Sequence, residues 1–175
     1  DRDSYDRNGD GYVDNVYVFY AGYGEADSDE SDAIWPHSWS ISDAAGKPLF
    51  LDGVYVDSYA CSNETCGYSS YGVLKNRPDG IGTFVHEFSH VMGLPDLYST
   101  NTTNTDPALE PFTPGEYSVM DYGPYNNEGL TPPNYSTYER YAFDWIVPGE
   151  IEDGDCVLDN LEDTNRAYII RTERE

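Results

Sequence analysis

Two histidines stand four residues apart in His86-Glu87-Phe88-Ser89-His90. In a helix that spacing puts both imidazoles on one face, one turn apart, where they can reach a single metal ion. Glu87 lies ~100° round the helix from His86 by the 3.6-residue period, close enough to act on a water at the metal without being a ligand. Asp96 follows six residues after His90, beyond Gly93, whose permissive backbone can turn the chain back. His86, His90 and Asp96 with one open position make the donor set of a catalytic zinc site. The chemistry would be metal-assisted hydrolysis, with Glu87 taking a proton from water and returning it to the leaving group. A short match of this kind also arises by chance in solvent-facing helices. Here its helix is the strongest in the chain, its other positions are apolar, and an acid follows at the required reach.

That helix is expected over Ile81–Met92. Ile81, Phe84, Val85, Phe88, Val91 and Met92 share one face, Asp79 stands ready as N-cap, Gly93 ends the helix and Pro95 prevents its resumption. Asn15–Tyr20 (NVYVFY) reads as a buried strand, and Pro48–Tyr59 as a strand pair turning at Asp52-Gly53. A second helix is expected over Tyr135–Ile146, burying Tyr138, Tyr141, Ala142, Trp145 and Ile146 and stopped by Pro148-Gly149. The segments 21–32, 60–78 and 99–115 read as loops, and IWPHSW (34–39) as an aromatic cluster without period. From Glu150 the composition shifts, and Arg166–Thr172 reads as a strand in need of a partner. The expectation is an α+β architecture with the motif helix on a mixed sheet. Residues 1–149 would form one domain and 150–175 the start of a C-terminal β-rich module.

A second metal is suggested near the start. Asp6, Asn8, Asp10, Tyr12 and Asp14 occupy positions 1, 3, 5, 7 and 9 of a loop with Gly11 at position 6, the first part of a calcium loop. Tyr17 stands at position 12, so the last oxygen must come from elsewhere, with Glu25 and Asp27 as candidates. Four spaced oxygens around a glycine exceed what a solvated turn requires, so the reading is a structural calcium that fixes the loop feeding the first strand. Cys61 and Cys66 could close a small disulfide loop or remain two thiols, and Cys156 is left over. His37, without a ligand partner at a clear spacing, reads as a structural histidine between Trp35 and Trp39.

The 175 residues carry 9 Lys+Arg against 33 Asp+Glu, a formal net charge of -24. Such a surface repels nucleic acid and anionic membrane faces. With 38% hydrophobic residues and 17 tyrosines the chain has the mass for a core. No apolar run approaches the ~20 residues of a membrane-spanning helix. The chain opens at Asp1 and reads as a mature or excised piece of something longer.

HEFSHVMGLPD resembles the long metal-binding consensus of the metzincin metallopeptidases, with Asp where a third His is commoner. Tyr117–Gly123 (YSVMDYG) is similar to the metzincin Met-turn. That likeness makes Met120 the methionine packed beneath the metal, and Tyr122 the tyrosine that in some members lies near it. Within the clan, GDGYVDNVYVFYAGYGEADS, IWPHSW, HEFSHVMGLPDLY and YSVMDYG resemble, in order, the immune inhibitor A family of secreted bacterial peptidases, over residues 6–151. The resemblance implies a secreted zinc endopeptidase with protein or peptide substrates. It implies Glu87 as base and then acid, and Tyr122 as a donor to the carbonyl oxygen. It departs from the family at Ser89, where Gly is usual. The family's domain also begins further upstream, so the missing upstream part of the same catalytic domain is expected as a partner. A non-catalytic calcium-dependent binding module and a zinc hydrolase of glycoconjugates are the other two readings.

Overall fold

The strand expected over Asn15–Tyr20 begins two residues later and runs further, as β1 (Tyr17–Tyr23). Gly22 and an irregularity between Tyr20 and Tyr23 carry it past the apolar run. After one helical turn, α1 (Glu25–Ser28), come β2 (His37–Ser40), α2 (Ile41–Ala45), β3 (Leu49–Leu51), β4 (Val54–Val56) and β5 (Ser58–Thr65). Then follow α3 (Ile81–Val91), two short 3-10 turns (Gly115–Tyr117 and Gly123–Tyr125), α4 (Thr137–Ala142), β6 (Gly149–Glu150), α5 (Leu161–Thr164) and β7 (Tyr168–Ile169). The computed structural model describes residues 4–28, 30–67, 77–99, 112–151 and 155–171. The architecture is mixed α/β, with small sheets and a few helices.

The principal sheet has the order β1-β5-β2, with β1 parallel and β2 antiparallel to β5. Its central strand lies where the sequence reads as loop. SYACSNET has no apolar alternation, yet Ala60, Cys61, Ser62 and Asn63 are all buried. A centre strand covered on both faces needs no alternation, and small side chains let α3 lie close across it. The aromatic cluster likewise hides a strand: its second half is β2, paired with β5 from His37↔Cys61 to Ser40↔Ser58. The hairpin β3–β4 turns at Asp52-Gly53 as expected, with φ of 49° and 91° at the two residues, the signature of a type I′ turn.

The motif helix forms over Ile81–Val91, but its cap differs from expectation. Gly80, not Asp79, is the N-cap, and it has no side-chain cap bond. The carbonyl of Gly129 instead accepts the Gly82 N–H at 2.9 Å. A Cβ at Gly82 would overlap the Pro124 carbonyl, so glycine lets the 123–130 segment lie directly on the helix. At the other end Gly93 (φ 105°) is the left-handed stop. Gly93 N–H donates to His90 O at 2.9 Å and Leu94 N–H to Ser89 O at 3.0 Å, a Schellman closure.

Tyr17 and Phe19 of β1 pack with Phe84 and Phe88 of α3, the Tyr17–Phe84 centroids 4.6 Å apart. Leu94, Val119 and Met120 form the fully buried core, flanked by Val85, Leu97, Tyr135 and Phe143. The second helix is shorter than expected and turned the other way. Tyr138, Tyr141 and Trp145 are exposed, and the buried member of α4 is Glu139. Asp144 at φ 58° stops that helix before Trp145 can join it. Glu139 takes part in a capping box with Ser136 and reaches on to the 118–120 turn. The strand expected over 166–172 reduces to β7, which pairs in parallel with β6. Arg140 holds α5 through Leu161 O and Asn165 Oδ1, the latter at 2.8 Å.

Candidate metal centre

Helix α3 puts the His86 and His90 rings 4.8 Å apart, nearly perpendicular. His86 Nδ1 lies 2.8 Å from Val119 O, and His90 Nδ1 lies 2.7 Å from Leu94 O. A carbonyl only accepts, so both Nδ1 atoms carry the proton and both Nε2 atoms face the other way. Each Nε2 meets the same atom, Asp96 Oδ1, at 3.3 Å from His86 and 3.2 Å from His90. The Schellman closure makes this possible, because it sends the chain back along the helix and supplies the Leu94 carbonyl that orients His90. The next residue after Asp96 is anchored too, Leu97 N–H donating to Met120 O at 2.8 Å.

This donor set fits a divalent cation. Burial holds His86 below the usual histidine range, in its neutral form. Its Nε2 lone pair then faces a carboxylate oxygen that is itself buried and has no hydrogen-bond partner. Such a contact repels until a cation sits between the atoms. Among the described residues, His86, His90 and Asp96 alone bring three His, Cys, Asp or Glu ligand atoms within 4.8 Å of one another.

Glu87 is 9% exposed and lies on the wall of a cleft of about 640 Å³ that also reaches His86. Burial pushes its carboxyl up to about 7; the charge of Asp96 adds to the rise, while His90 and His37 oppose it. Tyr122 is on the same wall. Met120 is fully buried in the core below, so its thioether packs and its main chain holds the ligand loop. Sequence reasoning passed over Tyr98, two residues beyond Asp96. Its hydroxyl bonds the Asp96 carboxylate and is pushed up to about 12, by burial first and Asp96 second. The signal was only its nearness to the acid. Ser89 is fully buried on α3, where its hydroxyl donates to Val85 O at 2.6 Å and pairs with the Tyr135 hydroxyl at 2.7 Å.

The remaining candidates stand apart. His37 Nδ1 donates to Trp35 O at 2.7 Å, and its Nε2 accepts from the Tyr59 hydroxyl at 3.0 Å, so its structural role involves Trp35 and Tyr59 rather than Trp39. Cys61 lies within β5 and Cys66 just past its end. An extended strand holds residues five apart at roughly 16 Å, far beyond the ~7 Å limit for a disulfide, so the thiol alternative stands. In the 6–14 loop, Asp6 Oδ2 accepts from Gly11 N–H at 3.0 Å, Asn8 Oδ1 from Asp10 N–H at 3.1 Å, and Asp10 Oδ1 from Tyr12 N–H at 2.8 Å. Asp14 Oδ2 accepts from Arg7 N–H at 3.1 Å. The carboxylates of Asp6, Asp10 and Asp14 do not converge as a ligand cluster. The loop is stitched to β4 on both sides of Tyr12, by Val13 N–H to Tyr55 O and Tyr55 N–H to Gly11 O, each 2.8 Å. The side chain of Asp27 lies outside the described residues. No helix among the described residues is long and apolar enough to cross a membrane.

Comparison with known proteins gives these positions a setting. The family model described as "Immune inhibitor A peptidase M6, catalytic domain" matches residues 1–160. The chain is 27% identical over 159 residues to immune inhibitor A of Bacillus thuringiensis subsp. alesti, covering 84% of this chain and 22% of that protein. It is 28% identical over 150 residues to the pre-pro-metalloprotease PrtV of Vibrio cholerae serotype O1, covering 79% of this chain and 15% of that protein. The chain thus spans less than a quarter of the length of either relative.

Proposed function

The chain belongs to the immune inhibitor A family of peptidases, matching the family's catalytic domain, and from that premise we propose that it is the zinc-dependent hydrolytic part of a secreted bacterial endopeptidase. The observation that carries the reading is the meeting of two Nε2 atoms on one buried Asp96 oxygen, each ring locked by a main-chain carbonyl. His86, His90 and Asp96 hold the ion. Zinc supplies Lewis acidity toward water and the scissile carbonyl. Glu87 takes the proton of the attacking water. Its raised affinity for a proton suits that role, and it then returns the proton to the leaving amine. Tyr122 donates a hydrogen bond to the carbonyl oxygen as negative charge grows there. Met120 packs beneath the site, a metzincin arrangement. The substrate is a protein or peptide.

Two finer points belong to the same reading. The 6–14 loop binds a structural calcium through Asp6, Asn8, Asp10, Tyr12 and Asp14. What supports it is the spacing of Asp6, Asn8, Asp10 and Asp14 around Gly11, the ion being what would draw together carboxylates that stand apart without it. Residues 1–149 form the catalytic part, and 150–175 open a further module.

Elemental mass spectrometry of the purified chain and of His90→Ala tests the ion. One zinc per chain, lost in the variant, is the expected result; wild type that takes up no transition metal when zinc is supplied ends the proposal. Glu87→Gln should keep the zinc and lose peptide hydrolysis by at least about a thousandfold, combining the loss of general base and acid. Full hydrolysis in that variant would overturn the role of Glu87.

A further inference from the structure

Tyr122 lines the cleft with Glu87 and His86, yet 60% of it is exposed. A ring so lightly packed takes its direction from its own main chain. The Tyr122 N–H donates to Gly115 O at 3.2 Å, and the Gly115 N–H donates in turn to Asp121 Oδ2 at 2.6 Å. Gly115 thus exchanges hydrogen bonds with both 121 and 122. Its φ of 60° is the left-handed conformation that glycine adopts without strain, and an added Cβ would meet nothing within 4 Å. Glycine is needed there for its backbone and not for space. On the far side of Tyr122, the Gly123 N–H donates to Ser118 O at 3.0 Å.

Asp121 is 3% exposed, so it does not meet substrate itself. Its Oδ2 has the Gly115 donor, while its Oδ1 is buried without a hydrogen-bond partner. A buried carboxylate satisfied on one oxygen only lowers stability. Groups of that kind are held in place by their surroundings and gather at functional sites. What this carboxylate holds is the 115 turn, and that turn carries the acceptor of the Tyr122 N–H.

We propose that Asp121 is a positioning residue: through Gly115 it fixes the main chain that presents Tyr122 on the cleft wall. The proposal rests on the peptidase reading of the same site and on Tyr122 as its donor to the carbonyl oxygen. Its test uses the full chain saturated with zinc and a fluorogenic peptide. Tyr122→Phe should lower kcat by about a hundredfold, the loss of one donor to the growing oxyanion. Asp121→Ala should lower kcat by at least about tenfold, the effect of a displaced catalytic group, with KM changed by less than about twofold. Added to Tyr122→Phe, it should lower kcat no further, because the group it positions is already gone. Asp121→Asn, which keeps an acceptor for Gly115, should return most of the lost kcat. Wild-type kcat in Asp121→Ala overturns the proposal, and so does an equal fall in both backgrounds, the mark of a general structural role. Wild-type kcat in Tyr122→Phe overturns it together with the role of Tyr122. If Asp121→Ala does not fold, Gly115→Ala takes its place, since it strains the same turn without a clash, and the same outcomes apply. Hydrolysis of no peptide by wild type sinks the peptidase reading instead. Fluorine NMR of the zinc-loaded chain, with fluorotyrosine at position 122, then decides the positioning role on its own. One narrow line in wild type that splits or broadens in the variant upholds it, and identical lines overturn it.

Discussion

A carboxyl group pushed up to about 7 by burial has a consequence for stability that can be measured without substrate. In the metal-free protein the folded state keeps a proton on Glu87 that the unfolded chain gives up near its ordinary value of 4.5. The stability Glu87 contributes is therefore fully present below about pH 4.5, and it is lost as pH rises through about 7. The whole effect is at most about 3.5 kcal/mol at about 1.4 kcal/mol per unit. Urea unfolding of chelator-treated wild type and Glu87→Gln at pH 5 and pH 8 checks this. The variant should gain on wild type at the higher pH, and an unchanged difference would refute the burial argument. Bound zinc should remove most of the effect, because its positive charge favours the carboxylate. Tyr98 makes a second prediction at this scale. Its hydroxyl interacts with the Asp96 carboxylate. Tyr98→Phe should weaken zinc by about tenfold, the usual cost of losing a partner that orients a ligand. A competitive zinc titration reads it, and wild-type affinity in Tyr98→Phe would show the bond to be idle.

The element that matters most to the site is the 118–120 turn, and Glu139 on α4 controls it. Its Oε1 accepts from the Ser118 hydroxyl at 2.7 Å and from Met120 N–H at 3.0 Å, while Oε2 accepts from Ser136 N–H at 2.6 Å. Between those two anchored residues lies Val119, whose carbonyl orients His86. A charge-assisted buried bond contributes about 1.5–3 kcal/mol. Glu139→Ala should therefore cost about 3 kcal/mol and weaken zinc as well, since the turn that holds His86 loses its clamp. Glu139→Gln keeps the acceptor to Ser118 and should recover part of both. Thermal melts and zinc titration on the same samples test the link: a loss of stability with unchanged zinc affinity would separate the clamp from the metal. This connection could not be read from TYERYAFDWI. The helical period there marks the aromatic residues as the inner face, and a lone Glu among them reads as solvated. The helix instead stops at Asp144 and turns its carboxylate inward. The fold brings a turn with free N–H groups to that side, and the charge satisfies them.

At the scale of the molecule, a net charge of -24 opposes folding by self-repulsion. Raising NaCl from 10 to 150 mM shortens the screening length from about 30 to about 8 Å, so Tm should rise with salt of any kind. The calcium proposal asks for more than that. CaCl₂ should raise Tm beyond NaCl of equal ionic strength, and Asp10→Ala should remove the excess while leaving the salt response. Equal effects of the two salts would make the 6–14 segment a plain turn, its aspartates used on their own backbone.

The motif helix and its metal-binding side chains were legible in the sequence because every step that places them is local. A 3.6-residue period sets His86 against His90, and a glycine stop with a fixed hydrogen-bond pattern returns the chain to Asp96. The Asp52-Gly53 turn was legible for the same reason. What only the tertiary structure decided depends on neighbours distant in the chain. Strand β5 is buried through its partners β1 and β2 rather than through apolar side chains of its own, and nothing in SYACSNET announces it. The first turn of α3 is capped by Gly129, 47 positions after Gly82, where local spacing pointed to Asp79. The carbonyl that orients His86 comes from residue 119, and the carboxylate that steadies that carbonyl's turn comes from residue 139. The ligands are set by helical geometry, while their orientation is set by packing, and packing is a property of the whole fold.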